Sequence, residues 1–226
     1  MSRPTRDPLP RATPAALKPL DWPMRRTLGA SPAARLMPVA LPDAMLARRS
    51  VREMAPAPLR SVLALVGWVT VARSVRVADP LSRTRRMPPS AGALHPVEVI
   101  VVAGGRRAPV LLRVDPFSAR VQVLSERRAG PAARLLTRLP QLLPGARGTA
   151  LVLLADRART AAVYHRPDSL LWRDAGALLA SLQLAAGTMG LVACPTGLIG
   201  QEIADALFPA NDRVVPAGTL VVGFPR

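Results

Sequence analysis

Four short stretches hold the residue types and spacings that could do chemistry. The densest is Met87-Pro88-Pro89-Ser90-Ala91-Gly92-Ala93-Leu94-His95-Pro96, which runs directly into the apolar segment Val97-Glu98-Val99-Ile100-Val101-Val102. Small side chains let backbone N–H groups approach a flat or anionic ligand, and a strand behind them gives rigid support. The pattern reads as the wall of a cofactor pocket. Upstream, Arg48-Arg49-Ser50-Val51-Arg52 sets three arginines and a serine in five residues, a group able to hold a phosphate through charge-assisted hydrogen bonds. A solvated surface in an arginine-rich chain has the same look, so this cluster decides nothing alone. Downstream, Tyr164 is the only tyrosine and stands beside His165, and Cys194-Pro195-Thr196-Gly197-Leu198 follows a long apolar run.

Composition bounds what these stretches can be. The 226 residues suit one domain with a tail, and half of them are apolar, which argues against wholesale disorder. The net charge of +17 is almost all arginine. Such a field attracts nucleic acid, phosphates or acidic peptides. The arginines are scattered and lack interleaved aromatics, so a solvated basic surface is favoured over nucleic-acid binding. One cysteine leaves no intrachain disulfide and no cysteine-built zinc site, and two histidines argue against a histidine-rich metal centre. No apolar signal run opens the chain, which predicts a cytoplasmic protein. The uncharged run between Asp174 and Glu202 is broken by Gly176, Gly187, Gly190 and Pro195, and reads as a helix buried in a soluble protein or a dimer rather than a membrane span.

The elements that must position these residues follow from periodicity. Residues 1–40, rich in Pro and Arg, read as a loosely ordered arm that wraps a partner subunit. A domain over 41–226 begins with a helix opened by Pro42-Asp43. Residues 58–71 predict an amphipathic helix and 72–88 a loop. Strands are expected at 97–103, at 110–114 and 121–124 as a hairpin, at 149–155, and at 218–224. Helices are expected from Pro131 to about Leu139, from about Ser169 to Met189 with Asp168 as N-cap, and from Gly200 to Phe208. Trp68 and Trp172 read as core or dimer contacts, and Asp174 as a cap or an arginine partner. The order predicts an α+β fold with a mixed sheet.

Taken together, these stretches resemble the flavin-dependent nitroreductase superfamily, and within it the SagB-type dehydrogenases, the branch that includes azoline oxidases of peptide natural-product pathways. The resemblance covers about Leu41 to Arg226. Its most specific part is Pro89-Ser90-Ala91-Gly92-Ala93-Leu94-His95-Pro96. Arg48 to Arg52 matches the superfamily's first flavin-binding motif, and Arg173-Asp174-Ala175-Gly176 opens its long central helix. The resemblance implies a mainly antiparallel sheet flanked by helices, with that buried helix at a homodimer interface. It implies FMN held between two subunits. Arg48, Ser50 and Arg52 would hold its phosphate and ribityl chain, with Arg49 nearby. Pro89, Ser90, Ala91 and Gly92 would lie along the flavin. Pro195, Thr196, Gly197 and Leu198 would approach its ring, and Arg226 would add a phosphate contact. This fits the chemistry: several arginines suit a phosphate dianion, and the ring needs a dry slot with a few placed donors.

One departure stands out. The azoline-oxidase branch has a Lys-Tyr pair ahead of the central helix, where this chain reads Val163-Tyr164. Tyr164 could relay a proton or pack at a pocket rim. His95 could also transfer protons, and its more ordinary role is to orient the 89–96 turn. The expected function is an FMN-dependent dehydrogenase or oxidase acting on a peptide- or amino-acid-derived intermediate in natural-product biosynthesis, with a biosynthetic partner protein as a further expectation. Two alternatives stand beside it. One is an NAD(P)H-dependent nitro or quinone reductase; the other is a non-catalytic flavin-fold partner subunit.

Overall fold

The computed structural model describes residues 7–105 and 108–226. In chain order its elements are β1 (Leu9–Pro10), β2 (Met24–Ala30), α1 (Leu41–Ala47), β3 (Met54–Ala55), α2 (Leu59–Thr70), β4 (Ser74–Val75), β5 (Thr84–Arg85), a 3-10 turn (Ala91–Ala93), β6 (Val97–Ala103), β7 (Val110–Val114), β8 (Arg120–Leu124), α3 (Pro131–Leu142), β9 (Thr149–Asp156), α4 (Arg157–Ala161), β10 (Tyr164–His165), α5 (Asp168–Thr188), β11 (Val192–Thr196), α6 (Gln201–Leu207) and β12 (Val214–Pro225). The main sheet runs β11-β12-β9-β6-β7-β8-β2, with β3 pairing the end of β12. Its ladders are antiparallel. The parallel element is confined to isolated bridges such as Ser50 beside Ala193.

The central strand β9 explains the layering. It is continuously apolar, and alternate residues point to opposite faces. Leu151, Leu153 and Ala155 pack with α2 and α5, whereas Ala150, Val152 and Leu154 pack with α3 and α6. Each of these leucines is essentially fully buried, a burial that contributes about 1.5–3 kcal/mol per side chain. In α2 the buried residues Val62, Leu65, Val66 and Val69 follow helical spacing. In α5, Leu171, Ala175, Leu178 and Leu182 turn toward the sheet. The opposite side of α5 exposes Trp172, Gly176 and Ala180, so within one chain the helix is buried on one side only.

Several boundaries differ from the sequence expectation. The N-terminal arm is not loose over its described part, for β2 pairs β8 at the sheet edge and β1 pairs β10. Its residues 1–6 lie outside the described residues. Main-chain pairing, not apolar periodicity, holds these strands, since β2 is exposed throughout. The expected loop 72–88 contains the β4–β5 hairpin. The connection at 156–168 contains α4, whose first turn is capped by the Asp156 carboxylate accepting from the Ala158 N–H at 3.1 Å. Asp168 is not the N-cap of α5; Pro167 takes that position. The Asp168 carboxylate instead accepts from Arg157 at 2.7 and 3.2 Å, a bidentate pair that draws it away from the helix N–H groups. The helix α3 runs past Pro140 to Leu142. The last strand starts early, at Val214, because a bulge between Pro216 and Gly218 absorbs the irregular residues.

Candidate functional site

The loop 89–96 is built around a buried carboxylate. The Ser90 hydroxyl donates to Asp174 Oδ2 at 2.5 Å, and the Ala91 N–H donates to Oδ1 at 3.1 Å. The same Ser90 oxygen accepts from the His95 N–H at 2.8 Å. Gly92 takes the left-handed conformation at φ +60°, which an L-residue adopts only with strain. A Cβ at this position would sit 3.1 Å from the Tyr164 hydroxyl. Tyr164 is therefore packed directly on the loop, held there by the pairing of β10 with β1.

His95 closes the loop from the other side. It is buried, and its Nε2 meets the Thr84 carbonyl oxygen at 3.0 Å. Burial lowers its pKa to about 4; the nearby Arg86 and Arg159 charges add to that shift and the Thr84 contact opposes it. The imidazole is neutral at physiological pH and donates from Nε2, a geometry that orients the turn. Asp174 was expected to cap or to pair with an arginine. Its carboxylate goes instead to Ser90 and Ala91, and burial raises its pKa, against the lowering by those two hydrogen bonds. Sequence reasoning assigned this residue no place in the site. The available signal was a lone carboxylate opening a long uncharged run, since such a group must find donors when buried.

The arginine motif lies elsewhere. Ser50 bridges to Ala193 of β11, and the Val51 N–H donates to the Ala193 carbonyl at 3.2 Å. Pro225 pairs with Met54, so Arg226 falls beside the Arg52–Glu53 step. Arg48, Arg49, Ser50 and Arg52 are exposed, as is Arg226. Arg49 donates to the Leu46 and Arg48 carbonyls at 2.6 and 3.0 Å. Beside the motif lies a mainly apolar cavity of about 450 Å3, lined by Arg48, Arg49, Val51, Gln183, Gly187 and Leu191 among others. The Gln183 side-chain nitrogen is buried without a hydrogen-bond partner, a donor that a ligand's oxygen or nitrogen would satisfy. Pro195 and Thr196 carry β11 two and three residues beyond Ala193. There the Thr196 hydroxyl accepts from the Leu198 N–H at 3.1 Å, and Gly197 is exposed with open space around it. Cys194 is buried, which pushes its thiol pKa up.

The candidate residues thus form two groups in one chain. The 89–96 loop and Tyr164 are tied to Asp174 near the start of α5, while the arginine motif meets the cavity at Gln183 and Gly187 near its end. Asp174 and Gly187 are separated by about 20 Å along the helix. The donor set at the second group suits a phosphate-bearing cofactor with a planar apolar portion. Its guanidinium and hydroxyl donors face solvent, and a cavity with an unsatisfied donor adjoins them.

The sequence profile of the Nitroreductase family matches residues 45–224. The chain belongs to the nitroreductase family. This is a family of flavin oxidoreductases, and its matched span holds both groups of residues except Arg226. Solved structures share the fold at low identity. A Ralstonia eutropha JMP134 protein named for nitroreductase is 20% identical with a TM-score of 0.58, the match covering 92% of this chain and 99% of that one. An NAD(P)H:FMN oxidoreductase by name, from Staphylococcus epidermidis ATCC 12228, is 13% identical with a TM-score of 0.55, covering 85% and 90%. A chain of the E. coli microcin synthetase McbBCD complex, with truncated pro-MccB17 bound, is 16% identical with a TM-score of 0.56, covering 89% and 79%. No curated protein matches the sequence. Among the described residues no helix is long and apolar enough to cross a membrane, and no cluster of metal-ligating side chains occurs.

Proposed function

We propose that this nitroreductase-family chain is an FMN-dependent dehydrogenase or oxidase, working as a homodimer of the SagB-type branch, on a peptide- or amino-acid-derived intermediate. The observation that carries the cofactor reading is the exposed Arg48–Arg52 motif set against Ala193, beside a cavity with the unpartnered Gln183 nitrogen. A bound flavin supplies hydride transfer. The chain's own residues bind and orient: Arg48, Ser50, Arg52 and Arg226 take the phosphate end, and the Pro195–Leu198 segment lines the approach to the ring. Tyr164 is the proton-handling candidate, because its hydroxyl lies on the Gly92 turn and His95 is neutral and committed to Thr84.

The homodimer reading rests on the separation of the two residue groups and on exposed apolar surface. The 89–92 loop of one copy completes the arginine-motif group of the other. Leu41, Met45 and Leu46 of α1 and Trp172 of α5 are all at least half exposed in the single chain, and a second copy would cover them. The fold likeness to a microcin synthetase subunit supports a peptide-derived substrate. A second reading, an NAD(P)H-dependent reductase, is supported by the neighbour named NAD(P)H:FMN oxidoreductase.

The test is the visible spectrum of the purified protein, before and after incubation with FMN, followed by rapid-mixing reduction with NADPH. A flavin spectrum with no fast NADPH reduction supports the dehydrogenase reading, and fast reduction supports the reductase. A colourless protein that takes up no FMN overturns both and leaves a partner subunit.

A further inference from the structure

A second cavity, on the sheet face opposite α5, carries more positive charge than the chain itself neutralises. Its volume is about 320 Å3, and Arg86, Arg113 and Arg159 all line it. Arg86 and Arg113 are 8% and 6% exposed. Glu98 is the carboxylate between them, 3.7 Å from Arg86 and 3.4 Å from Arg113. Asp115 takes a second bond from Arg113 at 3.1 Å. Asp156 also lines the cavity, and it is occupied by Arg213 at 2.7 Å through both oxygens. Arg159 donates to the carbonyls of Leu81, Ser82 and Leu94 and makes no ion pair among the described residues. Three guanidinium groups therefore face two available carboxylates, with one positive charge left over. The buried Arg113 Nε faces Glu98 at 3.4 Å without completing a hydrogen bond to it. A buried cation in excess is costly unless something pairs with it.

The opposite wall is apolar. Leu17, Leu20, Trp22 and Phe117 line it, and Arg113 lies over the Trp22 ring at 4.8 Å. A ligand that fits both walls has one negative charge and a flat apolar body. We propose that this cavity, formed by Arg86, Arg113, Arg159 and Trp22, binds an aromatic monocarboxylate at a site apart from the arginine motif, with His95 and Pro96 at the end of the 89–96 loop in its wall. The carboxylate pairs with the surplus guanidinium, as Arg recognises carboxylates in general. The ring packs on Trp22 and against Phe117. A phosphate monoester, with up to two charges, overshoots the single surplus charge. Burial is the main cause that lowers the Arg86 pKa; Glu98 opposes it, and the charges of Arg159 and Arg113 add smaller lowering effects. The site does not depend on the cofactor reading, because none of the arginine-motif residues touches it.

The experiment is a titration of the full-length protein with benzoate, read by tryptophan fluorescence, with acetate and phenyl phosphate as comparison ligands. Saturable quenching is expected, lost in Trp22→Phe, with benzoate binding more tightly than either comparison ligand. Arg86→Gln should weaken benzoate at least tenfold. Because Arg86 is buried and its variant can fail to fold, Phe117→Asp is the second variant: Phe117 is 49% exposed at the mouth, and a carboxylate there should repel the ligand several-fold. Non-saturating quenching overturns the proposal, as does unchanged affinity in Phe117→Asp. Tighter binding of phenyl phosphate than of benzoate also overturns it, by contradicting the monoanion assignment.

Discussion

Ser90 and Asp174, 84 residues apart in the chain, are joined by a hydroxyl-to-carboxylate hydrogen bond of 2.5 Å. This bond fastens the 89–96 loop to the central helix. Asp174 is only 8% exposed, so a lost donor leaves a buried carboxylate oxygen short of a partner. Ser90→Ala removes both the donor to Asp174 and the acceptor for the His95 N–H. Hydrogen bonds to buried charged groups contribute about 1.5–3 kcal/mol each. A loss of stability in that range is expected in urea unfolding, with lower flavin occupancy after reconstitution. Parent-like stability would show that the bond holds nothing in place.

His95 gives the protein a pH-dependent stability of definite sign. Its folded pKa is depressed to about 4 from the ordinary 6.5. Between those values the unfolded chain binds the extra proton, so stability falls as pH falls from 6.5 to about 4. The slope is about 1.4 kcal/mol per pH unit, or roughly 3 kcal/mol in total. His95→Gln keeps a donor for the Thr84 carbonyl and cannot titrate. Unfolding midpoints measured at pH 7 and pH 4.5 should converge in the variant relative to the parent. An identical acid slope in both proteins would move the effect to other groups.

Arg52 carries the cofactor assignment most directly. Its guanidinium is exposed, stands next to the Ser50–Ala193 bridge, and has no ion-pair partner among the described residues. Arg52→Ala should raise the FMN dissociation constant roughly tenfold by removing one charge-assisted phosphate contact. The readout is quenching of free FMN fluorescence on titration with protein. Equal affinity in variant and parent would refute the assignment of this residue to the phosphate.

The sequence was most legible where periodicity and burial coincide. The strand over Val97–Ala103, the β7–β8 hairpin and α2 follow their apolar patterns closely because the core sets those patterns. It was least legible where main-chain pairing or a charge decided the outcome. The strand β2 buries nothing and so leaves no alternating pattern. The cap of α5 was misassigned because Arg157 competes for the Asp168 carboxylate. Within the candidate site, the individual motifs could be read, but not their separation into two groups along α5. The link between Ser90 and Asp174 could not, since one hydroxyl meeting one carboxylate across the fold leaves no spacing in the sequence. The cluster of Arg86, Glu98, Arg113 and Arg159 was hidden for the same reason, among many other arginines.

Gly92 tests the packing of Tyr164 on the loop. At φ +60° an alanine costs about 1–2 kcal/mol from backbone strain. Its methyl would also stand 3.1 Å from the Tyr164 hydroxyl, tighter than ordinary contact. Gly92→Ala should therefore destabilise the protein more in the parent than in a Tyr164→Phe background, where the hydroxyl is gone. A double-mutant cycle from denaturant unfolding separates the two contributions. Equal losses in both backgrounds would mean that the tyrosine simply moves aside.

The distance between the two residue groups leads to a complementation test. If the 89–92 loop of one copy completes the arginine motif of the other, Arg52→Ala and Gly92→Asp damage opposite halves of each site. A dimer with one chain of each kind then has one site built from two intact halves and one with both halves damaged. Random assembly makes half of the dimers mixed, so about a quarter of the parental sites return on co-expression. Flavin content per dimer reads this directly, before any substrate is known. At an FMN concentration near the parental dissociation constant, each variant alone should hold little flavin. No recovery follows if one chain forms the whole site, because every chain in the mixture then carries a damaged half. Absence of recovery from well-folded mixed dimers would place the complete site within a single protomer and require the loop or the motif to move.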